Sequence, residues 1–380
     1  MTGSQGHLPG AAIGESRDAT AVRVDSVDVR LMPTWLEQGL AITGFELSGR
    51  RLLPVVRVGA VGIHGYGESP PLPTFTGLTA EDTADGVREC AEALIGRRLD
   101  EAVRHLHEES ASLPAPVRCC LDLALHDLAA RLAGVPLYRR LGTRTVAAVR
   151  ISRAIGFHDL DATVKLARRY RTLGVQALKL KVGREPSMDA DVVRAVRTAV
   201  GDDFEIALDA NEAFNADAAA SLIEALGGVG VAYFEQPVPR DDIAGLRQVR
   251  ERGVPVMADE SVFDAADVHH LADAKAVDLI GLKLIKSGGL TPAVNVARAA
   301  RERGLGVVVI DPLGSAISLE AGLALAATLP GPERAHGLSA GLDVTAPYAQ
   351  HAELVAGRLA PRDGPGLGFE VAWSTEREVV

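Results

Sequence analysis

Cysteine is scarce in this 380-residue sequence, which contains only Cys90, Cys119 and Cys120. An odd number of cysteines, two of them adjacent, provides neither a disulfide framework nor a zinc-ligand spacing. Reduced, buried thiols are typical of proteins in a reducing compartment. We therefore expect a cytoplasmic protein.

Long apolar runs and an excess of positive charge are also missing. The longest apolar runs, near Leu305–Ile310, are far shorter than the roughly 20 residues of a membrane-spanning helix. The first residues lack the basic start and apolar core of a signal peptide. A net charge of -10 argues against nucleic acid or an anionic membrane surface as the main partner. We therefore expect neither nucleic acid nor a membrane as partner.

The remaining composition, 47% hydrophobic and 24% charged, is that of a globular protein. The length predicts a barrel-sized domain with a smaller one, or one domain with an extension. Residues 1–21 are rich in Gly, Ser and Ala and predict a disordered extension. In residues 22–145 strand patterns precede helical patterns, an order typical of a small α+β domain. The strands are expected at Val22–Leu31 and Leu52–Val58, a loop at Gly65–Pro73, and helices at Ala80–Ile95 and Val117–Leu132.

From about residue 146 the pattern changes to a regular alternation of short apolar runs and amphipathic helices. Seven such units predict a parallel sheet closed into a barrel, and an eighth strand is expected near His336–Leu338. Three prolines after it leave little room for an eighth helix. The prediction is a modified TIM barrel, (β/α)7β, over 146–354, with the tail 355–380 completing the first domain. The seven runs are Val149–Ile155, Ala177–Val182, Glu205–Leu208, Val231–Phe234, Val256–Ala258, Leu279–Leu282 and Val307–Ile310.

Charged residues stand at the ends of successive predicted strands, each one βα unit from the next. In a barrel these positions line the active site. Strands three, four and five are neighbours, so their three carboxylates converge and repel unless a cation lies among them. An all-oxygen ligand set suits Mg²⁺, with Mn²⁺ as an alternative. The strand ends, from the second to the seventh, are Lys179–Leu180–Lys181, Asp209, Glu235, Asp259, Lys283 and Asp311.

The two lysines at strands two and six, Lys181 and Lys283, are expected on opposite sides of this cation. That arrangement suits removal of a proton from the carbon next to a carboxylate, because a divalent ion absorbs the second charge of the enolate. A lysine base needs a pKa well below its usual value near 10.4, and Lys179 together with the cation would lower it. One lysine can remove the proton and the other return it, as in a racemase or epimerase.

Four further polar residues are candidates for supporting or substrate-binding roles. Asn211 is expected to hydrogen-bond a metal ligand or the substrate, and Glu260 to be a partner of a lysine. Asp311 is expected to act on the substrate or only to orient a neighbour. Arg153 ends the first barrel strand and either meets a substrate anion or forms a surface ion pair.

Together these residues resemble the muconate-lactonising subgroup of the enolase superfamily, also called the mandelate racemase/muconate lactonising enzyme family. The resemblance implies an α+β capping domain over the barrel, Mg²⁺ on the three carboxylates, and the two lysines as acid/base pair. Mandelate-racemase-like members use a histidine after strand seven, where this sequence has Asp311–Pro312. The matching motifs are Gly67–Glu68, the helix around Asp122–Asp127, Lys179–Leu180–Lys181, Asp209–Ala210–Asn211, Phe234–Pro237, Ala258–Ser261 and Leu282–Gly289.

The substrate is less closely specified than the reaction. Residues 70–79 resemble a capping-domain loop of dipeptide epimerases and N-succinylamino acid racemases. Dipeptide epimerases hold the substrate ammonium with an Asp-x-Asp after strand eight, where this sequence has Gly337–Leu338–Ser339. A small carboxylate, such as an N-acylated amino acid, a betaine or a non-nitrogenous acid, remains open.

Other activities on this scaffold also remain open. A cycloisomerase, or an o-succinylbenzoate-synthase-like dehydratase and hence a lyase, would use the same two lysines. Two hypotheses lie outside this family: a Schiff-base aldolase, and a barrel that binds its ligand without turnover. A homo-oligomer is expected.

Overall fold

A computed structural model describes residues 22–42, 45–110 and 112–373. The predicted disordered extension, residues 1–21, lies outside the described residues, as does the end of the tail from 374. No helix within the described ranges is both long and apolar enough to cross a membrane.

The N-terminal domain is built on an antiparallel sheet that borders the barrel. Its strands are β1 (Ser26–Ile42), β2 (Phe45–Ala60) and β3 (Ile63–Glu68). A fourth strand, Val344–Thr345, joins the outer edge of β1 from the C-terminal part of the chain. β1 and β2 pair continuously from Ser26 to Leu36, and the register then shifts between Leu36 and Leu40. The end of this hairpin beyond the shift is here called the hairpin arm. The helices of this domain are α1 (Pro73–Thr76), α2 (Ala80–Leu94), α3 (Leu99–Arg104), α4 (Ala115–Leu132) and α5 (Leu137–Leu141), with a π-helical turn at His105–Glu109.

The prediction of a loop from Gly65 was wrong for its first residues, since Gly65–Glu68 belong to β3. The two glycines are there because helix α4 packs directly on this strand. A Cβ atom on Gly65 would lie 2.2 Å from the backbone nitrogen of Leu128, and one on Gly67 would lie 2.1 Å from the carbonyl oxygen of Cys120. Glycine in a strand here reflects a close approach of two backbones.

The second domain is the predicted barrel. Seven parallel strands are hydrogen-bonded in sequence order, and bridges from His336 to Ile151 and from Gly337 to Ile310 close the ring at the position of the eighth strand. This confirms the (β/α)7β architecture. The first predicted strand is split in two: β4 (Val149–Arg150) pairs with a short strand of the tail, and only β5 enters the barrel. The barrel strands are β5 (Ser152–Ile155), β6 (Ala177–Lys181), β7 (Glu205–Asp209), β8 (Phe234–Glu235), β9 (Val256–Ala258), β10 (Leu279–Leu282) and β11 (Gly306–Val309).

The barrel helices begin at residues that cap their first turns. Side-chain oxygens of Asp159, Asn215, Asp242, Asp264 and Ser315 accept hydrogen bonds from backbone amides one turn on, which satisfies groups that have no partner within the helix. The helices are α6 (Leu160–Thr172), α7 (Pro186–Val200), α8 (Ala216–Ala225), α9 (Ile243–Arg250), α10 (Ala265–Asp273), α11 (Leu284–Ser287), α12 (Leu290–Glu302) and α13 (Ala316–Ala326).

Two barrel helices are capped by carboxylates of the N-terminal domain. Glu68 accepts hydrogen bonds from the backbone nitrogens of Ser315 (2.6 Å) and Ser318 (3.1 Å), at the start of α13. Asp122 does the same for Leu290 (2.6 Å) and the residue after it, at the start of α12. Both carboxylates are fully buried. The two domains are therefore joined by charged hydrogen bonds as well as by apolar packing.

The tail contacts both domains. A 3-10 turn (Ala340–Asp343) leads into β12 (Val344–Thr345), and β13 (Arg358–Leu359) pairs with β4 at the barrel. Further on, the tail returns to the N-terminal domain, where Trp373 packs against Tyr66 with ring centres 6.1 Å apart. The domain boundaries at 146 and 354 stay a prediction.

Candidate active site

The predicted strand-end residues meet at one end of the barrel. Lys181, Asp209 and Glu235 are the last residues of β6, β7 and β8, and the strand register places Lys181 beside Asp209 and Asp209 beside Glu235. Asp259 and Lys283 directly follow β9 and β10. Because the strands are parallel, all five side chains lie at the carboxyl end of the barrel.

Lysine ammonium groups hold each of the three carboxylates. Nζ of Lys181 lies 2.6 Å from Asp209, and Nζ of Lys179 lies 2.8 Å from Glu235 and 3.1 Å from Asp209. Asp259 pairs with Lys283 and, at 2.7 Å, with Lys286. Three carboxyl groups and four lysines are thus packed together in a largely buried cluster, in which the opposite charges stabilise one another.

The charges of this cluster are unequally compensated. Burial disfavours the charged form of Asp209, but the ammonium groups of Lys181 and Lys179 outweigh it and lower its pKa to about 2. Burial and the charge of Asp209 raise the pKa of Glu235 to about 8. Lys283 differs from the sequence-based expectation of a depressed lysine: burial lowers its pKa, but attraction to Asp259 and Glu260 outweighs burial, and the pKa is raised.

The donor set of the cluster fits a hard divalent cation. Three carboxylates from adjacent strands offer only oxygen ligands, and Glu235 lacks enough positive charge around it. In the described part of the chain no three acidic, histidine or cysteine side chains are already arranged around a metal position. Each of the three carboxylates of the cluster instead forms an ion pair with a lysine.

Asn211 and Glu260 connect to Lys181. The side-chain oxygen of Asn211 accepts from Nζ of Lys181 at 2.5 Å, and its nitrogen donates to Glu260 at 2.9 Å. Glu260 is therefore a hydrogen-bond partner of Asn211, which links it to Lys181, and its charge also attracts Lys283. Burial and the charge of Asp259 raise the pKa of Glu260 to about 7. Asn211 has a left-handed backbone with φ 44°, which turns its side chain back toward the strands.

Asp311 and Arg153 have different surroundings from the cluster. Asp311 lines the cavity, and its carboxylate accepts from the backbone nitrogens of Gly314 and Gly341, so it ties together the loops after strands seven and eight. Arg153 lies on the opposite face of β5 from the cavity-lining Ser152 and Ala154. It forms a buried pair with Asp343 at 2.7 Å. Of the two alternatives for Arg153, the ion pair is the one seen, largely buried instead of at the surface, and the guanidinium also lies against Tyr170 of helix α6. A contact of Arg153 with a substrate anion stays a prediction.

A cleft with an empty volume of about 790 Å³ opens above the cluster. Lys179, Lys181 and Lys283 all reach it, and the walls around them are mostly apolar. Leu40 of the hairpin arm and Leu72 and Phe75 of the capping domain lie over the barrel mouth. Apolar walls around a few convergent charged groups are the character of a small-molecule site. The remaining lining residues are Ser152, Ala154, Asp209, Asn211, Tyr233, Val308, Ile310, Asp311, Pro312, Leu313, Gly337, Ser339 and Ala340.

Comparison with known proteins identifies the family. Residues 162–375 match the family model described as "Enolase C-terminal domain-like". A hydrophobic dipeptide epimerase from Enterococcus faecalis is 33% identical over 248 residues, which are 64% of this chain and 70% of that protein. The chain belongs to the enolase superfamily. Within it, the protein is an isomerase of the mandelate racemase/muconate lactonizing enzyme subgroup.

Two further relatives of this enolase-superfamily isomerase extend the comparison. A chloromuconate cycloisomerase from Cupriavidus necator is 30% identical over 338 residues, which are 83% of this chain and 88% of that protein. The crystal structure of a dipeptide epimerase from Enterococcus faecalis, complexed with Mg and L-Leu-L-Tyr, is 29% identical with a TM-score of 0.87. It covers 92% of this chain and 99% of that chain. The superfamily assignment made from the motifs is confirmed.

Two residues of the site were not assigned a role from the sequence. Lys286, three residues after Lys283, donates to both the carbonyl and the carboxylate of Asp259. The i, i+3 spacing of the two lysines was a signal for this, since it places both side chains on one side of the turn. Phe75 lies over Lys283, with the ring centre 4.3 Å from Nζ. Because the two residues belong to different domains, no local sequence pattern predicts this contact.

Proposed function

We propose that this isomerase racemises or epimerises a small amino-acid derivative at the carbon next to its carboxylate. The observation that carries the proposal is the placement of Lys181 and Lys283 on strands two and six, with the carboxylates of strands three, four and five between them. In a ring of eight strands, the second and the sixth are diametrically opposed. Both lysines reach the cavity, so a substrate carbon between them has a basic or acidic group on each face.

Asp209, Glu235 and Asp259 are proposed to hold Mg²⁺, with Mn²⁺ as an alternative. When bound, the cation would supply charge stabilisation for the substrate carboxylate as it gains a second negative charge, a contribution of several kcal/mol. The Mg in the Enterococcus faecalis epimerase supports this choice. Lys179 and Lys286 would orient these carboxylates, since Lys179 donates a hydrogen bond to Glu235 and Lys286 donates one to Asp259.

The proton steps use only residues of the chain. One of the two lysines, in its neutral form, accepts the α-proton, and the electrons of the C–H bond pass to the carboxylate to give an enolate. The other lysine, in its ammonium form, donates a proton to the opposite face of the carbon. The product has the same atoms with inverted configuration. A positioned base and acid of this kind contribute about 10²–10⁴-fold each.

A muconate-type cycloisomerase is the second candidate, because a chloromuconate cycloisomerase matches 83% of the chain. Cycloisomerisation, like dehydration, requires proton transfer on one face only. The accessibility of both Lys181 and Lys283 from the cavity favours chemistry on two faces.

The test is solvent deuterium exchange with single enantiomers of N-acylamino acids and dipeptides, with Mg²⁺ present. Wild-type protein should place deuterium at the α-carbon of both enantiomers. Lys181→Ala and Lys283→Ala should each abolish racemisation, and each should retain exchange of one enantiomer, opposite for the two variants. Lys165→Ala, at an exposed lysine of α6, is the control. Racemisation that survives loss of either lysine would overturn the proposal.

A further inference from the structure

Arg51 of strand β2 connects two backbone segments that line the active-site cavity. One of them, residues 71–76, is here called the cap segment and contains Phe75. The other, residues 311–313, follows the seventh barrel strand and is here called the strand-seven loop. We propose that Arg51 is a positioning residue, which fixes both segments and thereby keeps Phe75 over Lys283. This inference rests on the proposed function and adds to it a residue that acts through others.

The guanidinium of Arg51 donates one hydrogen bond to each segment. Nη2 lies 3.3 Å from the carbonyl oxygen of Pro71, and Nη1 lies 3.0 Å from that of Leu313. A planar guanidinium holds its donors in a fixed fork, so one side chain can bind two carbonyls at once. Pro71 belongs to the capping domain and Leu313 to the barrel. Arg51 therefore fixes the position of one segment relative to the other.

The cap segment is short and stiff, so a contact at Pro71 determines where Phe75 lies. Three of the residues 70–73 are prolines, whose rings fix the backbone φ angle. Helix α1 begins at Pro73, and the backbone nitrogen of Phe75 donates to the carbonyl of Leu72 at 2.9 Å. No side chain caps this turn. Its position over the barrel therefore depends on how the residues before it are held.

The strand-seven loop has a backbone conformation that needs support from outside. Leu313 has φ 66°, in the left-handed region that a leucine rarely adopts. A residue keeps such a conformation only where its surroundings determine it. The side chain of Leu313 packs in a small cluster with Leu36 and Val344, and its carbonyl accepts from Arg51. Loss of that hydrogen bond would remove one of the contacts that hold this part of the cavity wall.

The charge of Arg51 strengthens both hydrogen bonds. Burial lowers the pKa of Arg51, and attraction to the buried carboxyl groups of Asp311 and Glu68 opposes that shift. These two groups already accept hydrogen bonds from the backbone nitrogens of Gly341 and Ser315. The guanidinium is thus attracted by carboxyl groups but donates to neutral carbonyls. A hydrogen bond from a charged donor is stronger than one between neutral groups.

The first measurement is amide hydrogen exchange of the cap segment, followed by mass spectrometry of its peptides. Arg51→Met keeps an unbranched side chain and removes every donor. The amides of residues 75–77, which donate within α1, should exchange at least about tenfold faster, as loss of a charged hydrogen bond predicts. Arg50→Ala, at the exposed neighbour on the opposite face of β2, is the matched control and should exchange like the wild type. Unchanged exchange in Arg51→Met would refute the inference.

The second measurement is kcat and KM for deuterium exchange, with Mg²⁺ present, on the N-acylamino acid or dipeptide that the wild type exchanges fastest. Arg51→Met should raise KM about tenfold and keep kcat within about twofold, because saturating substrate selects the molecules whose cap segment is in place. A purely structural role would lower Tm without changing the KM of the folded protein. Because Arg51 is proposed to act through Phe75, its effect should fall to about threefold or less in a Phe75→Ala background.

Two kinetic outcomes would contradict the inference: an equal effect of Arg51→Met in both backgrounds, and a loss confined to kcat. If Arg51→Met does not fold, Arg51→Lys keeps the charge without the planar fork and replaces it in both measurements. Wild-type behaviour of the lysine variant would then refute the inference. Absence of deuterium exchange with every compound would instead contradict the proposed function, while the amide measurement still decides whether Arg51 holds the cap segment.

Discussion

Phe75 of the capping domain covers Lys283 of the barrel, with Nζ 4.3 Å from the centre of the ring. An ammonium over an aromatic face is stabilised by about 0.5–2 kcal/mol, more when water is excluded. The same ring shields the lysine from the cavity mouth. Phe75 therefore contributes both charge stabilisation and cover at one of the two proposed catalytic groups.

We predict that Phe75→Ala lowers kcat/KM by about two- to thirtyfold, the range that such an interaction corresponds to. Phe75→Leu keeps an apolar cover without the aromatic face, and it separates the two contributions. Steady-state rates with a saturating and a limiting substrate concentration give the change in kcat and KM. Rates of Phe75→Ala equal to those of the wild type would show that the ring plays neither role.

Magnesium should stabilise the folded protein through the three strand-end carboxylates. A ligand at 100 times its dissociation constant adds about 2.7 kcal/mol to the free energy of unfolding. We expect Mg²⁺ to raise the Tm of the wild type and to have little effect on Asp209→Asn or Asp259→Asn.

Asp311→Asn is a matched control for that measurement, because Asp311 is a buried carboxylate at a neighbouring strand end that is held by backbone amides. Its Tm should still respond to Mg²⁺. Equal responses of all the variants would place the cation elsewhere.

The close contact of β3 with α4 should make Gly67 intolerant of any side chain. A Cβ at this position lies 2.1 Å from the carbonyl oxygen of Cys120, so strand and helix must separate. We predict that Gly67→Ala lowers the free energy of unfolding by about 1–3 kcal/mol. Gly230→Ala, at a glycine with nothing within 4 Å of an added Cβ, should change it little. Urea denaturation of both variants measures the difference.

Glu320 should make stability depend on pH. Burial raises its pKa to about 7, and its carboxylate accepts from the backbone nitrogen of Arg362 at 2.5 Å. The pKa in the unfolded chain is near 4.3, so the fold favours the protonated form. This contribution is full below about pH 4.3 and is lost as the pH rises through 7.

Glu320→Gln removes that dependence. Relative to the wild type, the variant should gain up to about 3 kcal/mol in free energy of unfolding between pH 4.5 and pH 8. Urea denaturation at the two pH values, with the exposed Glu353→Gln as control, measures the gain. A constant difference between variant and wild type would mean that Glu320 ionises normally in the fold.

Much of the barrel and of its strand-end residues was predictable because both follow local rules. Buried parallel strands are recognisable in the sequence as short apolar runs, and the residue at the end of each run can be identified directly. The face of a residue within a short, mostly buried strand is not fixed in this way, so the sequence does not say whether the side chain of Arg153 points to the cavity or to helix α6.

Contacts between the domains and the conformation of tight turns could not be predicted from the sequence either. Gly65 and Gly67 look like loop residues until α4 is placed on them. The pairing of Glu260 with Asn211 follows from a left-handed turn at Asn211, which a sequence does not announce for a non-glycine residue.

Glu68 and Asp122 have a consequence for how a molecule reaches the lysines. Swinging the whole capping sheet outward would strip the amides at the start of two barrel helices of their partners and leave two carboxylates unpaired. Admission and release must therefore be local events at the rim, where Leu40 and Phe75 lie. A covalent link that fastens the sheet to the barrel far from that rim should leave turnover intact.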